Sequence, residues 1–218
     1  ASKNNVKIME GFMYVFHPQF DRIMNTIKSN ILGDINYAHS MFSFPIKPTR
    51  FYRINRSMEN GGGALWDIGP YAIHTLRQCF KENPIRVKAI AKLNEHGADI
   101  STTGLIDFGN NKRATFDISF ECTRRSEFEA FGPLGRVKCP TVWQPEDKQA
   151  KIIINTESSG LTEEVVPAAN HFILEVNHFN KVISSDISPK LSKEDALWNA
   201  KTLESIQKSV QQDKWVNL

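Results

Sequence analysis

Between residues 61 and 77 the chain reads GGGALWDIGPYAIHTLR. Asp67, Tyr71 and His74 in this run are spaced so that one helical stripe carries all three. A carboxylate, a phenol and an imidazole held beside three glycines are titratable groups of the kind that move protons. The same residues also read as a capping Asp, a half-buried Tyr and a surface His. Positioning them is the work of a helix: Ile68, Ala72, Ile73, Leu76 and Phe80 recur at helical spacing and predict one buried face. Asp67 is placed to cap that helix, and Pro70 falls in its first turn, where a missing N–H removes no intrahelical bond. The glycines ahead of it permit positive φ and close backbone approach.

The stretch GGGALWDIGPY resembles the signature of the Gfo/Idh/MocA family of NAD(P)-dependent oxidoreductases, matching at Gly61, Gly62, Gly63, Leu65, Asp67, Gly69 and Tyr71. A second stretch, EGFMYVFHPQ from Glu10 to Gln19, is similar to the last strand of that family's nucleotide-binding domain and the exit from it. Val15 stands there where Arg is common. The resemblance implies that Asp67 and Tyr71 are catalytic residues of a dehydrogenase acting on a sugar or diol CH–OH group. It also implies substrate-binding roles for Tyr14, Arg53 and His74, with Arg53 matching an R-x-N run that precedes the glycines at a slightly different spacing. NAD or NADP is the implied cofactor of the intact enzyme. None is expected on this chain alone: no glycine fingerprint lies between a strand and a helix, and the family's Glu-Lys-Pro segment is missing. A nucleotide-binding domain is therefore expected upstream of Ala1, with residues 1–16 as its residual last strand and 17–218 as the catalytic, substrate-binding and oligomerisation domain.

Composition narrows the alternatives. At 218 residues the chain can bury one good core. Its 40% hydrophobic and 23% charged content is ordinary for a soluble protein. The net charge of +3 is mild and Lys and Arg are dispersed, which points away from nucleic acid. No apolar run approaches a membrane span. Cys79, Cys122 and Cys139 lack CxxC patterning and read as reduced thiols of a cytoplasmic protein. No HExxH or CxxC suggests a metal.

The remaining elements follow from pattern. Val6–Phe16 is a near-continuous apolar run, as in a strand of a parallel sheet. Pro18–Gly33 predicts a helix, with Phe20, Ile23, Met24, Ile27 and Ile31 on its apolar face. Ile35–Phe44 predicts a strand, and Pro45–Asn60 a loop carrying Arg50, Arg53 and Arg56. Alternation from Ile85 to Leu93, the GNNK turn between Ser101–Phe108 and Ala114–Thr123, and further runs at 127–131, 136–139, 151–155 and 163–166 predict strands joined by turns. Two helices close the chain, one with a Phe172, Ile173, Val176, Phe179 and Ile183 stripe, the other starting at a Ser192/Asp195 capping box. The fold class is α+β, an open and predominantly antiparallel sheet with helices on one face. Phe116, Ile118 and Phe120 present more apolar surface than so few helices cover, which predicts a homo-oligomer through the sheet face. The alternative to an enzyme is a noncatalytic module using that face for dimerisation or ligand binding.

Overall fold

The computed structural model describes residues 1–4, 6–145, 148–185 and 187–218. Its centre is a nine-stranded sheet: β1 (Tyr37–Ser43), β2 (Arg86–Leu93), β3 (Asp99–Gly109), β4 (Lys112–Ser119), β5 (Arg125–Gly132), β6 (Gly135–Cys139), β7 (Ala150–Thr156), β8 (Gly160–Val166) and β9 (Val216–Asn217). The spatial order is β8-β7-β6-β5-β1-β4-β3-β2-β9. Among the described strands every pairing is antiparallel except that of β1 with β4. The predicted GNNK turn is the β3–β4 hairpin, with Asn110 and Asn111 both at positive φ, as such tight turns require.

Among the described residues five α-helices accompany the sheet: α1 (Pro18–Lys28), α2 (Ala64–Asp67), α3 (Gly69–Phe80), α4 (His171–Ser184) and α5 (Lys193–Gln212). On the inner face of the sheet α3 lies on β1 and β4, α5 on β2, and α1 on β6 and β7. Alternation decides what they cover: Ala38 and Phe42 of β1, Phe116 and Ile118 of β4 and Phe128 of β5 are buried, one residue in two along each strand. Phe120 is buried as well. The expectation that Phe116, Ile118 and Phe120 overflow the helices is thus corrected, because all three are covered. The outer face carries the other alternating set, and it is mixed rather than apolar. Arg86 pairs with Asp107 at 2.8 Å and Lys138 with Glu127 at 2.9 Å. Arg125 bonds Asp117 there, and Tyr37 bonds Thr115.

Three further expectations are corrected. Val6–Phe16 forms no strand: Met13–Phe16 is a 3₁₀ turn, and Phe12 to Phe16 are buried one after another. Their apolarity reflects burial on all sides, which periodicity cannot separate from a sheet-core strand. The α1 helix stops at Lys28, short of Gly33. The predicted stripe of α4 does not face the sheet. That helix packs on the Met13–Phe16 turn and leaves Phe172, Ile173, Val176 and Ile183 exposed.

Candidate active site

The predicted helix after the glycines is broken in two. Pro70 has no N–H to give the Trp66 carbonyl, so α2 ends at Asp67 and α3 starts afresh at Gly69, with Ile68 as a cap that makes no side-chain bond. Asp67 is therefore not the N-cap. Its carboxylate instead takes a short hydrogen bond from Arg53 Nη1. Arg53 ends a 3₁₀ segment, Pro48–Arg53, inside the stretch expected to be irregular. Its backbone carbonyl accepts from Gly63 N at 2.8 Å, so loop and helix hold the ion pair from both sides.

This pair opens onto a pocket of about 200 Å³, walled by Phe42 and Phe44 from the end of β1, by Trp143 and Gln144, and by Tyr71. Tyr71 packs between the Phe12 and Phe42 rings at centroid distances of 5.4 and 5.9 Å. Burial raises its phenol above the ordinary value, Asp67 and Glu175 add to this, and Arg53 opposes it. The arrangement is a neutral phenol kept protonated beside a compensated carboxylate. It can give a proton to an oxygen in the pocket and receive one back.

Tyr14 and His74 lie behind this wall, both fully buried. Tyr14 O–H bonds His74 Nδ1 at 2.5 Å, and His74 Nε2 bonds Asp195 Oδ2 at 2.8 Å. Desolvation drives the Tyr14 phenol far above its ordinary pKa, so Tyr14 is the donor. That leaves His74 with its proton on Nε2, directed at Asp195. Burial lowers the His74 pKa despite Asp195. Burial alone raises a carboxyl, but His74 and Arg77 outweigh it at Asp195, which sits below the ordinary range. Arg77 meets Asp195 Oδ1 at 2.9 Å. Thr75 ties this chain to the pocket: its hydroxyl accepts from Trp143 Nε1 at 2.9 Å and lies 2.8 Å from the Tyr71 carbonyl and 2.9 Å from the Tyr14 hydroxyl.

Of the five residues singled out in the sequence, Arg53, Asp67 and Tyr71 line one pocket, while Tyr14 and His74 form the buried layer beneath it. His74 is no surface residue. Trp143 and Gln144 escaped notice because nothing local marks them: they follow β6 and reach the site through the sheet order. Asp195 was visible only as a capping residue. Among the described residues no group of His, Cys, Asp and Glu is arranged to hold a metal ion.

Residues 20–138 match the model of the GFO/IDH/MocA C-terminal domain. The chain belongs to the Gfo/Idh/MocA family. It is 28% identical over 217 residues to an uncharacterised oxidoreductase of Rhizobium meliloti, covering 96% of this chain and 64% of that protein. It is 29% identical over 159 residues to trans-1,2-dihydrobenzene-1,2-diol dehydrogenase of Xenopus tropicalis, covering 71% of this chain and 46% of that protein. The fold superposes on aldose-aldose oxidoreductase of Caulobacter crescentus, crystallised with glycerol, with a TM-score of 0.87 at 19% identity over all of this chain and 65% of the other. This Gfo/Idh/MocA chain thus spans less than two thirds of the length of these relatives.

Proposed function

We propose that this chain is the substrate-binding and catalytic domain of an NAD(P)-dependent oxidoreductase acting on a sugar or diol CH–OH group. The observation that carries it is the convergence of Arg53, Asp67 and Tyr71 on one small pocket. Tyr71 holds the transferable proton at the substrate oxygen. Asp67, oriented by Arg53, accepts hydrogen bonds from substrate hydroxyls, and Arg50 adds a second cation on the same wall. Tyr14, His74 and Asp195 keep the floor of the pocket rigid. Sugar-type chemistry is supported by relatives that include the diol dehydrogenase and a D-xylose 1-dehydrogenase (NADP(+)) of Haloferax volcanii.

The glycine turn at 61–63 offers no fit for a dinucleotide. A Cβ on Gly62 would come within 1.9 Å of the Arg56 carbonyl oxygen, and one on Gly63 within 1.8 Å of Asp99 Oδ1. The glycines therefore admit this chain's own atoms, not a pyrophosphate. A nicotinamide cofactor is held by a further domain of the intact enzyme. The exposed apolar side chains of α4 are the surface offered to that domain. Self-association of the protein through the outer sheet face belongs to the same proposal, as does a cytoplasmic location.

The test uses the full-length protein with NAD+ or NADP+ against a panel of aldoses and vicinal diols, and with NADH or NADPH against their keto forms, following reduced nicotinamide absorbance. Turnover of at least one sugar or diol, lowered about 10²–10⁴-fold in Tyr71→Phe, is the expected result. Cofactor binding with no turnover of any polyol or carbonyl compound, together with unchanged ligand binding in Tyr71→Phe, refutes it.

A further inference from the structure

Asp99 opens β3 and is fully shielded from solvent. Its Oδ2 accepts from the Leu65 amide at 2.9 Å and from Thr102 Oγ1 at 2.7 Å. Its Oδ1 has no hydrogen-bond partner and presses on Gly63, which adopts φ +99. A buried carboxylate with an idle oxygen is costly, and packing alone is served better by an apolar side chain. What the carboxylate touches explains its presence. Leu65 N–H is one of the amides left orphan at the start of α2, and Asp99 satisfies it from a different element. Gly63 N, two residues before Leu65, donates to the Arg53 carbonyl at 2.8 Å. At the other end of α2 the Asp67 carboxylate holds the Arg53 guanidinium. Arg53, Gly63, α2 and Asp67 thus form a closed ring, and Asp99 fastens that ring to the sheet.

We propose that Asp99 is a positioning residue, which fixes the third glycine and the first turn of α2 on β3 and so sets the register in which Arg53 meets Asp67. Its importance for turnover rests on the proposed roles of Arg53 and Asp67. Its ionisation adds a lever. Burial pushes the Asp99 carboxyl up to about 6, and the bonds from Thr102, Leu65 and its own amide hold it back. The charged and titratable groups on the surrounding elements are Arg53 and Arg56 in the loop, Asp67 on α2, and Lys92, His96 and Glu121 near the strand ends. Loss of charge at Asp99 weakens the grip on Leu65 and slackens the ring.

Amide and guanidinium signals of the ¹⁵N-labelled chain, followed by NMR across mildly acid pH, test this without reference to any substrate. In the wild type the Gly63 and Leu65 amides and the Arg53 Nε–H should move together with a midpoint of about 6. Thr102→Val, which keeps the side-chain shape, should raise that midpoint by removing a bond that favours the carboxylate. Asp99→Asn should abolish the transition in all three signals. Titration of Leu65 with Arg53 unmoved overturns the proposal, as does an Arg53 transition that survives in Asp99→Asn. In the full-length enzyme Asp99→Asn should lower kcat about 10- to 100-fold, the scale of a misplaced catalytic group, with KM little changed. Thr102→Val should move the acid limb of the kcat profile in step with the NMR midpoint. Intact NMR coupling with unaltered turnover in Asp99→Asn refutes instead the roles given to Arg53 and Asp67.

Discussion

Replacing Asp195 by Asn removes one charge while keeping the side chain's shape, and the structure sets the size of the effect. In the native chain the carboxylate satisfies His74 Nε2 at 2.8 Å with one oxygen and Arg77 Nη1 at 2.9 Å with the other. Arg77 is only 5% exposed, so its charge is left largely uncompensated. Breaking a buried pair from one side costs about 3–5 kcal/mol. Arg77 retains the Asp195 carbonyl at 3.1 Å and Asn83 Oδ1 at 3.0 Å, which softens this. Asp195 also lies in the first turn of α5, where losing a negative charge costs a further ~0.3–1 kcal/mol. The expected net loss is about 2–4 kcal/mol at neutral pH, read from urea unfolding of the chain followed by circular dichroism. The folded pKa of Asp195 is depressed, so its contribution is present above the unfolded value and lost as pH falls through the folded one. The wild type should therefore show an acid step below about pH 4 that the variant lacks. A change under about 0.5 kcal/mol, the size of an ordinary surface substitution, refutes the assignment of a load-carrying ion pair.

Tyr71→Phe keeps the ring between Phe12 and Phe42 but deletes the transferable proton. Turnover of the full-length enzyme should fall about 10²–10⁴-fold with unfolding free energy nearly unchanged, and near-normal turnover would reassign the proton. Asp67→Asn should cut turnover as well, yet destabilise the chain by less than about 1 kcal/mol, because its Arg53 pair is about a quarter exposed. Calorimetric titration of the 218-residue chain with NADH or NADPH should show no binding, and micromolar affinity would contradict the account of the glycine turn. Light scattering should show self-association of the chain that Leu105→Lys, on the outer face of β3, abolishes; a strict monomer counts against that interface.

The strands were legible because each has one covered face. Residues 86–93 alternate in charge and apolarity, and β2 buries Val87 and Ala89 while Arg86 and Ile90 face out. Where burial is not one-sided the pattern fails. Phe12 to Phe16 are shielded on all sides by α1, α3 and α4, and nothing in their order separates a turn from a strand. In the site, Asp67 and Tyr71 were legible because the motif that holds them is local. The division of labour among the stripe residues was not. It depends on Pro70, which splits the helix and turns Asp67 toward Arg53, and on Asp195, which meets His74 from 121 residues away. Asp99 gave least warning of all. An Asp after Gly97 and Ala98 reads as an ordinary turn residue, and its partner Leu65 is 34 residues earlier.

The position of β1 has a consequence for how the chain reaches its native state. The strands β2 to β4 form one meander and β5 to β8 another, each built from hairpins that close over short stretches of sequence. Although β4 and β5 are consecutive, they do not pair with each other. The gap between them is filled by β1, whose contacts with both lie far off in the chain, as where Ser43 pairs with Ser119 of β4 and Arg125 of β5. Closing so long a loop is slow compared with zipping a hairpin. Two preformed halves should therefore wait for a single insertion event that welds them. Phe42 of that inserted strand and Phe44 just past it wall the pocket, so the cavity is complete only once β1 is in place.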